Sequence, residues 1–148
     1  MESRLNASLW TAATTDSKNR ALVEATRTLT DCAWKGCRTT STQALAWPRL
    51  YVEDPDAGIG GAFIDSAVVP QRVKDATYEL AFQFIKSGTT DLAAIDSLDN
   101  VESKTVDVLS TSYNVHLKKR GLSRFPRIMD RIRPLVDGSS VNVAVVRG

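Results

Sequence analysis

Histidine and cysteine are scarce in this chain: His116 is the one histidine, and Cys32 and Cys37 are the two cysteines, in 148 residues. Neither a disulfide framework nor a four-ligand zinc site can be assembled from so few ligands, so both cysteines read as free thiols. One histidine also leaves one ordinary base for activating a nucleophile, which argues against a hydrolase triad. His116 stands beside Lys118 and Lys119 and receives no catalytic role. No apolar run approaches the roughly 20 residues that span a bilayer. The start, MESRLNASLW, carries an early acid and no sustained hydrophobic stretch, so neither a membrane span nor a signal peptide is expected, and the cytoplasm is the expected location.

Nucleotide motifs are missing as well. Gly58-Ile59-Gly60-Gly61 is not followed by Lys-Ser/Thr and reads as a hinge. Asp54 and Asp56 hint at a calcium loop, but the next glycine falls two residues after Asp56 and no Glu occupies the twelfth position, which leaves a mobile acidic loop. No pair of acids shares a face with a candidate nucleophile. No enzyme, cofactor or metal is therefore expected.

What is present is an ordinary single domain, 43% apolar and 24% charged. A chain of this length buries about 70% of its unfolded surface without staples. The net charge of +2 is unevenly spread. Residues 1–49 hold seven basic and four acidic side chains, residues 50–112 four and eleven, and residues 113–148 eight and two. An acidic middle and a basic end suit either stacked subunits or nucleic acid.

Periodicity predicts a short helix from Leu5 to Ala13. A longer one follows, capped by Asp16 or Ser17, with Leu22, Ala25, Leu29 and Cys32 or Ala33 on one side and Gly36 as its stop. Gln43 to Trp47 is long enough for one helical turn before Pro48 forbids continuation. The next stretch is a loop with a short strand near Phe63-Ile64. Pro70 then opens a helix whose face is Val73, Ala76 or Thr77, Leu80, Ala81, Phe84 and Ile85, and Gly88 closes it. A short helix at Asp91 to Ile95 and an imperfect strand in Val101 to Tyr113 follow. Ser123 caps a last helix with Phe125, Ile128, Met129, Ile132, Leu135 and Val136 inside, ended by Gly138. The fold class is mainly α: a small bundle of about four helices over residues 1–138, a minor β element, and an extended tail at 139–148.

Two segments could carry binding. Lys118, Lys119, Arg120, Arg124, Arg127, Arg131 and Arg133 face a single acid, Asp130, between residues 118 and 133, and could neutralise phosphates. Single-strand binding usually adds exposed aromatics, and here only Tyr113 and Phe125 are nearby, the latter better placed in the core. The second segment is the β-prone tail, with Val141, Val143, Val145 and Val146, suited to closing the domain's own sheet or adding a strand to a neighbour.

A denser motif runs through Trp34-Lys35-Gly36 and Gln43-Ala44-Leu45-Ala46-Trp47-Pro48-Arg49. Physically it reads as structural: Trp47 before Pro48 sets a bend, Leu45 and Trp47 dock on the small residues of the second helix, and Arg49 satisfies carbonyls or an acid there. With Val69-Pro70, Val73, Ala76, Glu79-Leu80-Ala81, Tyr113 and Leu135, it resembles, over residues 5–137, a family of tailed-bacteriophage proteins. That family is often labelled DnaT-like single-stranded-DNA-binding protein, and its genome position and fold relate it to head–tail connector, or adaptor, proteins.

The resemblance implies a virion subunit of the head–tail neck, assembled in the host cytoplasm as a homo-oligomeric ring, commonly of twelve. Its implied partners are the portal protein, a tail terminator or other neck protein, other copies of itself, and double-stranded DNA in the lumen, with no membrane. On this reading Val141, Val143, Val145 and Val146 contact the portal or a neighbour, and Lys118, Lys119, Arg120, Arg124, Arg127 and Arg131 face DNA or an adjacent subunit. The adaptor is the leading expectation, because the aromatic platform is missing and segmental charge suits a stacked ring. The alternative is a single-stranded-DNA-binding protein of phage replication.

Overall fold

A computed structural model describes residues 7–95 and 121–137. The expectations placed on Val101 to Tyr113, on Lys118, Lys119 and Arg120, and on the tail from Gly138 lie outside those residues.

Helix α1, Ala7–Ala12, leads into α2, Thr15–Thr30. The cap of α2 is Thr14, two residues earlier than Asp16: its backbone is extended and its hydroxyl oxygen accepts from the Ser17 N–H at 3.2 Å. Asp16 falls instead in the first turn, where its charge meets the positive end of the helix dipole. The buried stripe is Ala21, Ala25 and Leu29, spaced by four, while Leu22 is only half-buried. Thr26, Thr28 and Thr30 each donate a hydroxyl to the carbonyl four residues back at 2.8 Å, which leaves their methyl groups to cover the helix surface.

Helix α3, Gln71–Ser87, is the hub on which the other helices pack. Pro70 precedes its first turn and Gly88, left-handed at φ 73°, ends it. Val73, Ala76, Leu80, Ala81 and Phe84 are buried, and the alanines of α2 and α3 let the two backbones approach closely. Residues 92–95 are helical.

The last helix, α4, runs Pro126–Ile132 between 3₁₀ turns at Gly121–Arg124 and Arg133–Leu135. Ser123 is not its cap. Pro126 opens the helix because it lacks the N–H that the first turn leaves unpaired, and Pro134 denies the α-helix its next donor, so the end tightens to 3₁₀. Ile128, Ile132 and Leu135 are buried.

No helical turn forms at Gln43–Trp47. The Gln43 amide donates to the Leu45 and Pro48 carbonyls at 2.7 and 2.9 Å, which fixes an irregular turn in place of a helical ladder. The turn returns the chain to a small antiparallel pair, β1 Cys37–Arg38 and β2 Arg49–Leu50, with Cys37 opposite Leu50. The pairing extends through a bridge between Glu53 and Phe63 and an Ile64 N–H to Val52 carbonyl bond of 2.8 Å. A second bridge, Trp34 to Val136, and a 2.7 Å bond from the Asp137 N–H to the Ala33 carbonyl fasten the end of the described chain to the end of α2.

The Trp34–Arg49 motif is a knot within this turn. Trp34 donates its indole N–H to the Leu29 carbonyl at 2.7 Å and meets Trp47 edge to face, with centroids 5.5 Å apart. Gly36, at φ 69°, lies so close to the opposite strand that a Cβ there would collide with the Leu50 carbonyl oxygen. Arg49 donates to Lys35 and Gly36 carbonyls at 2.8 Å and to Ala46 at 3.1 Å. With the Trp34 carbonyl at 3.5 Å the fork reaches four acceptors, where a lysine has one point charge. Arg49→Lys should therefore lower stability by about 2 kcal/mol, at roughly 1–2 kcal/mol for each charge-assisted bond lost and not regained. Urea unfolding with an unchanged slope is the check.

Candidate nucleic-acid interface

The pairing of residues 52 and 64 decides which side chains face out. Val52 is fully buried and Ile64 half-buried, so their neighbours Tyr51 and Phe63 turn to solvent. Tyr51 is 70% exposed and Phe63 64% exposed, yet the two rings meet edge to face with centroids 6.3 Å apart. Tyr51 has φ 60°, the sole non-glycine residue with positive φ among the described residues. For a bulky aromatic this backbone is strained by about 1–3 kcal/mol, and such strain collects at functional sites. Gly36, just before β1, packs against the backbone of Leu50 and Tyr51 and the side chain of Val52.

The surrounding charge is mixed. Lys35, before β1, and Arg38, on β1 opposite Arg49, are exposed; Lys35 Nζ donates to the Pro134 carbonyl at 3.0 Å and Arg38 to the Gln43 carbonyl at 3.2 Å, and neither meets a carboxylate among the described residues. Burial, aided by the positive charge of Arg38, pulls the Arg49 guanidinium below its ordinary pKa. Glu53, cross-strand from Phe63, brings a carboxylate to the platform's edge, whereas Asp56 is bound by Arg72 at 2.9 Å. That bond raises the Arg72 pKa. Stacking on the two rings, more than charge, is what this surface offers a ligand.

The arginines of the basic end lie elsewhere. Arg131 pairs with Asp75 at 3.3 Å and Arg127 approaches buried Glu79 at 3.9 Å, both carboxylates belonging to α3; Arg133 pairs with Asp130 at 3.0 Å. The Arg124 guanidinium lies 5.7 Å from the centroid of Phe125. Within one chain, the acidic middle thus meets the basic end across the α3–α4 contact. Lys118, Lys119, Arg120, Val141, Val143, Val145 and Val146 lie outside the described residues. Trp34, Gly36, Gln43, Leu45, Trp47, Pro48 and Arg49 come together in the knot, which reaches the Tyr51 backbone through Gly36.

Sequence reasoning missed the Tyr51–Phe63 pair. The two are twelve residues apart in a loop without periodicity, and the signal that could have found them is two aromatics flanking an acidic, glycine-rich turn. Among the described residues no three His, Cys, Asp or Glu side chains group as metal ligands, and no helix is long and apolar enough to cross a membrane.

A family model described as "Putative DnaT-like ssDNA binding protein" matches residues 2–148. No curated protein and no solved structure matches. The family match overturns the expectation of a virion head–tail adaptor docked on a portal: it supports the single-strand-binding alternative, and nothing found supports a connector role. One premise of the adaptor reading, that exposed aromatics are missing, does not hold, since Tyr51 and Phe63 are exposed together.

Proposed function

This chain belongs to the DnaT-like ssDNA binding protein family, and from that premise we propose that it binds single-stranded DNA by stacking bases on Tyr51 and Phe63. The observation that carries the reading is the exposed, mutually supported ring pair. Every base has a π-face, so such a platform is tolerant of sequence, and Lys35 and Arg38 supply the phosphate contacts beside it. Few cations and a nearby Glu53 make the electrostatic share small.

A labelled oligo-dT titration over a salt series tests this. The two phosphate contacts at the platform contribute about −1.4 to the slope of log affinity against log salt, about −0.7 for each, and any further contact steepens it by the same step. Cys37 gives an independent readout, since it is exposed and lies opposite Leu50, next to Tyr51. Oligo-dT should slow maleimide labelling of Cys37. Cys32 is the internal control: burial, reinforced by the charge of Asp31, pushes its thiol pKa up, so it labels slowly with or without DNA. Absence of oligo-dT binding at low salt sinks the reading.

A further inference from the structure

Beside the knot, α2 and α3 leave an open cavity of about 290 Å³, walled by Trp34, Leu45, Trp47, Val73 and Tyr78, with Lys74 at its edge. We propose that this groove takes one unstacked nucleobase of a bound single strand, with Lys74 on the adjoining phosphate. The inference rests on the single-strand reading above and adds a second, separate site to it.

The walls are mostly apolar, and the threonines among them add little polarity. The hydroxyls of Thr26, Thr30 and Thr77, which also line the groove, donate to the carbonyls of Leu22, Thr26 and Val73 at 2.8–2.9 Å, so they give up their donors to their own helices. An extended peptide entering here would find few partners for its backbone N–H and carbonyl groups. A planar ring asks only for flat, apolar walls and an occasional polar atom. Trp47 is 6% exposed and its indole N–H has no acceptor in the protein. That N–H is itself buried, so what the indole gives the groove is flat apolar surface and not a hydrogen bond.

Size and charge favour the same occupant. The cavity has room for one ring system, below the span of a bound segment. Lys74 lies one turn before Tyr78 on α3, exposed, and it has no carboxylate partner: the adjacent Asp75 is engaged by Arg131 and by the Gln71 amide at 2.9 Å. An unpaired ammonium beside an exposed tyrosine complements a phosphate attached to a stacked base. Trp34 lines the groove while Gly36 packs against the backbone of Leu50 and Tyr51, so one short run of chain touches both sites.

The test uses the full chain and oligo-dT, with Tyr78→Ala and Lys74→Gln compared against wild type by anisotropy and tryptophan fluorescence. Both residues are exposed, so neither change should disturb folding. Tyr78→Ala should weaken binding about tenfold, in the range for loss of one base stack. Lys74→Gln should make the log–log salt slope shallower by about 0.7, the value for one phosphate on a single strand. Oligo-dT should also quench tryptophan emission. If wild type binds while both variants match it in affinity and slope, the groove is not a base site and the platform reading survives. If instead the variants change only self-association in sedimentation, the groove is a contact between copies and the inference is overturned. If wild type binds no oligonucleotide, both readings fall together.

Discussion

Replacing Trp47 with alanine should lower the unfolding free energy by about 3–5 kcal/mol, the range for truncating a buried indole. The ring is 6% exposed, stacks edge to face on Trp34, and belongs to the same core as Leu29, Val73 and Ala46. Alanine leaves a hole that the neighbours cannot close, because Arg49 holds the surrounding backbone through four carbonyls. Against a typical stability of about 5–15 kcal/mol this is a large fraction, and the thermal midpoint should drop by about 10 °C or more. Trp47→Phe separates packing from polarity. It removes an N–H that has no acceptor, and losing that orphan offsets part of the lost volume. The phenylalanine variant should therefore lose only about 1 kcal/mol. Leu45→Ala, in the same turn but 47% exposed, should cost less than about 1 kcal/mol. A Trp47→Ala loss no larger than that of Leu45→Ala would mean that the knot is not part of the core.

The contrast between Trp47 and Leu45 shows what periodicity can and cannot reveal. Helix α3 was legible end to end, because Pro70, the apolar face from Val73 to Phe84 and Gly88 are all local signals that agree. The stripe of α2 was legible only in part: Ala25 and Leu29 are buried as expected, but Ala21 takes the place of Leu22, and the helix stops at Thr30, before Cys32, Ala33 and the expected stop at Gly36. Its cap was not legible, because Thr14, Thr15, Asp16 and Ser17 are all competent, and their order along the chain does not rank them. At Gln43–Trp47 a helical propensity lost to side-chain bonds from Gln43, and in the last helix Pro126 and Pro134 moved both ends. Segmental charge was visible without its partners: Arg131 and Arg127 were assigned to DNA or a neighbour, and only the packing of α4 on α3 places Asp75 and Glu79 beside them. The platform was least legible of all. Tyr51 and Phe63 are joined through the register of Val52 with Ile64, a non-local pairing that no window of sequence contains.

Removing that platform should produce the largest loss of function with the smallest loss of fold. Each base–aromatic stack contributes about 1–3 kcal/mol, so Tyr51→Ala with Phe63→Ala should weaken oligo-dT binding by about a hundredfold. The rings touch, so each also orients the other, and the two single variants should together lose more than the double does. Folding should hardly notice, since both rings are mostly exposed. Tyr51→Asn sharpens the separation. Asparagine tolerates the left-handed backbone that Tyr51 occupies at φ 60°, and relief of roughly 1 kcal/mol of strain should balance the lost contact with Phe63. That variant should unfold within about 1 kcal/mol of wild type while binding oligo-dT at least tenfold more weakly. Stability and binding moving together would make the aromatic pair a structural clasp; binding lost at constant stability is what a stacking surface requires, because a strained and exposed tyrosine is retained against the preference of its own backbone.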